Sequence, residues 1–409
     1  MDIRRKMKPV FAQTQGGLFT KVTKADVGGG YLEMGKRGVT LMGWADPFYP
    51  DPAFPAHVKD ALIKAIETGF PAHYTPPVGD AELKRVLAKK LKRFNGLQVD
   101  PERNILVTPG SDSGLYYAML PFVDKGDEVM ALDPSYPNNF QNVKLMGGTV
   151  VPIPVYEKNG FQPSIQDFES RLTSKTKMVV LTQPNNPTTT VLRRPFLEEL
   201  SRFIVKNDLV CVVDQAFEDS VFDGVDFVTV ATLPNMFSRT VTVFSLSKGM
   251  ALSGIRVGYI VADDIIMDVL YGAAVSVIGA TNTASQIAAV SALQNDAFIG
   301  EYNKIFDRRR KMAFEFFNKV PGVSMLMPES GFFSWVNVER LGGGAVVAAR
   351  LLDTGTAAVN SGAAYGQQGK NFIRVVQGSL CSDDMVREAL SRICAVLVKM
   401  SAEEHVTEF

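Results

Sequence analysis

Lys248 stands in the run VTVFSLSKGMALSGIRVGYIV, three residues after Ser245, one after Ser247 and eight before Arg256. Two hydroxyls, an amine and a guanidinium brought together can hold a phosphate and condense with an aldehyde. Burial or a nearby cation lowers a lysine's pKa, which frees its amine to form a Schiff base. Most loop lysines carry only surface charge, so the surrounding residues have to decide. Asp214 ends the apolar run Leu209-Val210-Cys211-Val212-Val213, where a carboxylate is either a helix cap or a site residue. The segment QPNNPTTT, Gln183 to Thr190, directly follows Met178–Thr182 and carries Asn185 and Asn186. Alone it reads as a proline-rich turn. Three polar elements at three strand ends are harder to set aside than one.

Two further segments offer ligand groups. VTPGSDSGLYYA, Val107 to Ala118, reads as a strand, a Gly110-Ser111-Asp112 turn and a helix start, where backbone N–H groups attract a phosphate. DPSYPNN, Asp133 to Asn139, closes another strand and presents Tyr136, which either packs or stacks on a planar ring. A rival chemistry also matches, because Ser245-Leu246-Ser247-Lys248 fits the S-x-x-K nucleophile pattern of serine β-lactamases. The accompanying S-D-N and K-T-G triplets do not occur in the chain. Only three histidines exist, His57, His73 and His405, which weakens triad chemistry and a His-rich metal centre; no metal is expected.

Strands and helices must place these groups. Short apolar runs at Ile105–Val107, Glu128–Leu132, Thr149–Ile153, Met178–Thr182, Val210–Asp214, Thr240–Phe244 and Val257–Val261 predict seven strands. Helical spacing falls between several of them, at Ser113–Phe122, Ile165–Leu172 and Pro195–Asn207, and ahead of them over 54–68 and 80–94. This alternation predicts an α/β domain with a mostly parallel sheet, which gathers ligands at the carboxyl ends of its strands. Beyond about residue 300 come a long charged helix, short strands near Phe332–Val338 and Phe372–Gln377, and a closing helix from Asp383 to Lys399. The expected division is a large domain over 46–300 and a smaller α+β domain built from 1–45 and 301–409.

With 409 residues, 46% of them hydrophobic and 21% charged, the chain can bury a large core. Lys plus Arg equals Asp plus Glu at 43 each, so no net field draws it to nucleic acid or an anionic membrane. The least charged stretch, Tyr271 to Leu293, is broken by polar residues and reads as buried loop and helix rather than a membrane span. Cys211, Cys381 and Cys394 form no CxxC pair, and the start MDIRRKMKPVF lacks a signal peptide's apolar run. Both point to the cytoplasm.

In order and spacing, from about Thr40 to about Lys399, these motifs resemble fold type I pyridoxal-5′-phosphate enzymes, specifically the class I/II aminotransferase superfamily. The resemblance implies that fold, with a mostly parallel seven-stranded sheet between helices. It implies that Lys248 carries the cofactor as a Schiff base and acts as general base, while Asp214 pairs with the pyridine nitrogen. Asn186 would bond the phenolic oxygen and Tyr136 would stack on the ring. Gly110, Ser111, Asp112, Ser245 and Arg256 would meet the phosphate, joined by Tyr74 of HYTPPVG from the neighbouring subunit of a homodimer. Arg374 of NFIRVVQG would clamp the substrate α-carboxylate. The implied reaction is ping-pong transamination between an amino acid and a 2-oxo acid.

Three departures from the superfamily pattern bear on function. Phe217 stands where a tyrosine is usual in D-x-x-Y, so Asn186 is left as donor to the phenolic oxygen and the Schiff-base pKa is expected to rise. Ala45-Asp46-Pro47 replaces Gly-x-Pro, and Trp44 before it is expected to line the substrate pocket beside Ala45. Val277, five residues before Asn282, replaces the arginine of the aspartate-specific branch, so an apolar or aromatic donor is expected. C–S β-lyases, amino-acid decarboxylases and α-oxoamine synthases share the lysine, aspartate and arginine and stay as alternatives. A ligand-sensing regulator on this fold carries an added DNA-binding domain. Only about 40 residues precede Thr40, with no basic helix-turn-helix pattern, so no nucleic-acid partner is expected.

Overall fold

The computed structural model describes residues 8, 10, 30–49 and 54–407. Most of the N-terminal arm expected over 1–45 therefore lies outside the described residues. In chain order the strands are β1 (Thr40–Leu41), β2 (Ile105–Thr108), β3 (Glu128–Asp133), β4 (Thr149–Pro154), β5 (Thr176–Thr182) and β6 (Val210–Asp214). They continue with β7 (Thr240–Ser245), β8 (Gly258–Val261), β9 (Ser334–Asn337), β10 (Ala357–Ala358), β11 (Asn360–Ser361) and β12 (Phe372–Val375). Seven of them make one sheet in the order β2-β8-β7-β6-β5-β3-β4, and each of the seven predicted runs is one of its strands.

Within this sheet every pairing is parallel except those of β8, which runs antiparallel to both β2 and β7. A parallel neighbour needs a crossover long enough to bring the chain back to the same end, usually through a helix. Between β7 and β8 the chain holds only the short 3-10 turn Ser253–Ile255, so it doubles back instead. That return segment carries Lys248 and Arg256.

The strands are apolar runs because helices cover both faces. Val129, Ala131, Val180 and Val212 pack on one side with Leu115 and Leu270, while Met130, Leu132, Leu181 and Val213 pack on the other with Leu197 and Leu200. Alternation along β3, β5 and β6 thus divides each strand between two cores. A separate core joins Phe317, Val336, Ile373, Leu390 and Leu397, drawn from the helix Ala297–Phe317, the antiparallel sheet β11-β12-β9 and the closing helix Asp383–Thr407.

Helix boundaries shift in ways that matter. The helix expected from Ser113 begins at Ser111, which puts Ser111 and Asp112 in its first turn. The helix expected over 80–94 is α-helical over Ala81–Lys90 and finishes as a π turn, Leu91–Asn95. That turn serves a buried cluster: Lys90 pairs with Glu218, whose other oxygen accepts from Asn95 at 2.6 Å and from Gln215 at 2.8 Å. The stretch Tyr271–Leu293 falls on two helices, Asp264–Val277 and Thr283–Gln294, and the loop joining them. Among the described residues no helix is long and apolar enough to cross a membrane.

Candidate active site

Three adjacent parallel strands end at one cavity of about 440 Å³. Asn186 follows β5, Asp214 ends β6 and Lys248 follows β7. Their order in the sheet is their order across the site. Lys248 Nζ donates to the Ala45 carbonyl at 2.7 Å. Burial holds its amine below the ordinary lysine value, helped by Arg374 and Arg256 and opposed by Asp112 and Asp46.

Asp214 is buried, and burial pushes its carboxyl up to about 7 even though the Ala216 N–H donates to Oδ1 at 3.1 Å. The nearby charge of Asp112 raises it further and Lys248 lowers it. A carboxyl in this state is stabilised as the anion by a cation brought opposite it.

The central strand of the small antiparallel sheet, β12, delivers Arg374, which is 2% exposed. Its Nη1 donates to Asn186 Oδ1 at 3.0 Å and its Nη2 to the Gly43 carbonyl at 2.8 Å. The buried Nε has no hydrogen-bond partner among the described residues. Tyr365 and Phe333 flank the guanidinium with ring centres 5.0 and 5.3 Å away. A buried guanidinium with a donor to spare is a seat for a carboxylate. With the Asn186 oxygen turned to Arg374, its amide NH₂ is left to donate elsewhere.

The opposite end of the cavity is made for an anion. The helix Ser111–Met119 starts at Gly110, with φ 88° and no side-chain cap, so its first N–H groups are open to a ligand. A Cβ on Gly110 would come 2.3 Å from Arg256 Nη2, so only glycine lets the guanidinium lie against the helix start. Arg256 itself sits at φ 55°, in the left-handed region, with Nη1 donating to the Ser253 carbonyl at 2.8 Å and reaching Ser247 Oγ at 3.5 Å. Strained backbone there aims its charge at the cradle.

Other expected residues fall as follows. Tyr136 lines the cavity, and its hydroxyl donates to Asp112 Oδ1 at 2.8 Å. Phe217 lines it as well, packed against Phe333 and Phe332 with ring centres 5.1 and 5.7 Å away. Trp44 and Ala45 form part of the wall, with Trp44 backed by Tyr31 and Tyr49. Ser245 is set back: it is buried at the end of β7, where its Oγ accepts from the Ser247 N–H at 3.2 Å, and Ser247 lines the cavity instead. Tyr74 lies apart from the cavity, 93% exposed, beside a surface depression that it shares with Asn282.

Sequence reasoning missed Asp46, Asn138 and Ser253, which also line the cavity, and the Gly43 and Ala45 carbonyls, which hold the two cations. Asn138 had a signal, since it follows Tyr136 by two residues, and it donates to Asp112 Oδ1 at 3.0 Å. The carbonyls had none.

The family described as aminotransferase class I and II matches residues 39–393. An aspartate/prephenate aminotransferase of Thermus thermophilus is 31% identical over 371 residues, covering 90% of this chain and 93% of that protein. An arginine–pyruvate transaminase of Pseudomonas aeruginosa is 31% identical over 364 residues, covering 88% and 90%. Among solved structures, the aromatic aminotransferase of Pyrococcus horikoshii superposes with a TM-score of 0.83 at 28% identity, covering 90% of this chain and 98% of that one.

Proposed function

This chain belongs to the class I and II aminotransferases, and on that footing we propose that its cavity holds pyridoxal 5′-phosphate on Lys248. The enzyme moves an amino group between an amino acid and a 2-oxo acid. One observation carries the assignment of the site: Asn186, Asp214 and Lys248 stand at the ends of adjacent strands, with Arg374 bonded to the first of them.

When bound, the cofactor supplies an aldehyde that takes up amino groups and a cationic ring that draws electrons from the substrate Cα. The protein's part follows from its own side chains. The open start of the helix Ser111–Met119 and Arg256 would hold the phosphate, and Asp214 would pair with the ring nitrogen, where its carboxylate would favour the protonated ring. Asn186 would donate to the phenolic oxygen, and Tyr136 would stack on the ring. Arg374 exchanges its protein carbonyl for the substrate α-carboxylate. Lys248, its pKa already lowered, removes the proton at Cα, a service worth about 10²–10⁴-fold in rate. β-Lyase and decarboxylase chemistry would use the same groups, but the relatives' names favour transamination.

A homodimer completes the reading. Tyr74 and the Asn282 segment sit side by side on the surface, tied by the Thr75 hydroxyl donating to the Thr281 carbonyl at 3.1 Å. Phe70 and Ile66, 54% and 62% exposed, offer apolar area near Tyr74 for a second copy to cover. The division at residues 46–300 belongs to this reading, supported by the separate core around Phe317 and Leu390. So does the cytoplasm, supported by three cysteines that form no disulfide among the described residues.

The test is stoichiometric. Loaded with pyridoxal phosphate and given an amino acid alone, the enzyme should release one 2-oxo acid per site and then stop until a second 2-oxo acid is added. Continuous release of ammonia or carbon dioxide would overturn transamination.

A further inference from the structure

Arg374 is held by more than its two hydrogen-bond acceptors. It lies on β12, the central strand of the small antiparallel sheet, where its cross-strand partners are Asn360 of β11 and Trp335 of β9. Residues directly opposite one another in an antiparallel pair put their side chains on the same face. Asn360 therefore projects beside the guanidinium, and it is fully buried. It does not line the cavity, so whatever it contributes passes through its neighbours.

Its side-chain amide has two hydrogens, and both go to groups that hold Arg374. Nδ2 donates to the Gly43 carbonyl at 3.1 Å and to the Tyr365 hydroxyl at 2.8 Å. The Gly43 carbonyl is the acceptor of Arg374 Nη2, and Tyr365 is the ring 5.0 Å from the guanidinium. That ring also packs edge-on against Trp335, with ring centres 5.7 Å apart. Gly43 is anchored in turn, its N–H donating to the Tyr31 hydroxyl at 2.9 Å. Gly43, Asn360, Tyr365 and Arg374 are all buried within one chain, so these bonds do not wait on a second copy.

The Gly43 carbonyl thus has two donors, one for each lone pair. Only one of them has to leave. The transaminase reading, on which this inference rests, has Arg374 Nη2 turn from that carbonyl to the substrate α-carboxylate. A buried carbonyl stripped of its last donor carries the full penalty of its lost hydration. The Asn360 amide stays in place when the guanidinium lets go, and the carbonyl stays bonded.

We propose that Asn360 is a positioning residue for the α-carboxylate clamp: by keeping the Gly43 carbonyl hydrogen-bonded, it frees Arg374 to take the substrate. Its effect falls on binding and not on the chemical step, because the carboxylate is gripped alike before and during proton removal. The effect is common to every amino donor, because every one brings the same α-carboxylate.

The experiment follows single-turnover release of 2-oxo acid from alanine, phenylalanine, glutamate and arginine by the pyridoxal-phosphate-loaded enzyme. Asn360→Leu, which has no donor, should raise KM about 10-fold for every amino acid that reacts. The maximal rate and the dissociation constant of the cofactor should stay within about twofold of wild type. A merely structural role would loosen the cofactor and slow the chemistry as well. Asn360→Asp keeps the shape, but its anion cannot donate to the carbonyl and would turn to Arg374 instead, so KM should rise at least as far. An unmoved KM in whichever variant folds, a rise confined to one donor, or a matching loss of cofactor affinity overturns the inference while leaving transamination standing. If the wild-type enzyme releases no 2-oxo acid from any of the four, transamination itself fails and this inference falls with it.

Discussion

Asp214 titrates near 7 in the folded chain and near 3.8 once burial is lost. Between those values the native state keeps a proton that the unfolded chain has released, so stability falls as pH rises. Its contribution is fully present below the lower value and lost once pH has passed the upper one. The gap is about 3 units at about 1.4 kcal/mol each, or roughly 4 kcal/mol in total. Asp214→Asn removes the titration while keeping the shape. In the cofactor-free protein, wild type should therefore lose roughly 2 kcal/mol relative to the variant between pH 5 and 7, and the full roughly 4 kcal/mol by pH 8. Asp219, which burial raises to about 6, titrates in the same window but is present in both proteins and cancels in the difference. Urea unfolding followed by the fluorescence of Trp44 and Trp335, at fixed protein concentration, reads this directly. Adding pyridoxal phosphate should narrow or reverse the gap, because the anion then gains a cationic partner. Parallel pH curves for the two cofactor-free proteins would refute the argument that burial holds this carboxyl protonated.

Four other outcomes follow from the same geometry. Borohydride reduction of the loaded enzyme should leave one phosphopyridoxyl group on the peptide containing Lys248, and Lys248→Ala should show none by mass spectrometry. Arg374→Met should lower kcat/KM for amino acids at least about 100-fold, mostly through KM, because a substrate carboxylate loses its charged partner. Glu218→Ala should destabilise the fold by about 3–5 kcal/mol in urea, since it strands the buried Lys90 ammonium without its partner. Phe217→Tyr should lower the pH at which the bound cofactor's imine titrates, read from its absorbance, by adding a donor to the phenolic oxygen. An unchanged midpoint would show that residue 217 does not face that oxygen.

The sheet was legible because burial on both faces of its inner strands leaves short, mostly apolar runs rich in Val, Ile, Leu and Met, as in β5 and β6. The direction of β8 was not, because an apolar run looks the same read either way. Its reversal depends on the helix-free connection from β7, and a short turn such as Ser253–Ile255 has no pattern that separates it from a loop. Lys248, Asp214 and Asn186 were legible for a related reason: a polar residue that abruptly ends an apolar run marks the end of a buried strand. What holds Lys248 and Arg374 was illegible, since the Ala45 and Gly43 carbonyls belong to backbone common to every residue. Ser245 and Ser247 are equivalent as letters, and only the turn after β7 turns one inward and lets the other face the cavity. Asp46 was plainly present in Ala45-Asp46-Pro47, but its exposure to the site depends on a segment some 200 residues away from Lys248 in sequence, brought there by tertiary packing.

The hydrogen bond made by the free Lys248 amine has a dynamic consequence. The amine is moored to a neutral oxygen, that of Ala45, rather than to either nearby aspartate. Casting off from a carbonyl forfeits one charge-assisted bond, about 1.5–3 kcal/mol, whereas parting a buried ion pair forfeits about 3–5 kcal/mol and strands two charges. A side chain that must swing between partners in every catalytic cycle is thus tethered lightly, and its travel is set by the reach of its four methylenes more than by any electrostatic anchor.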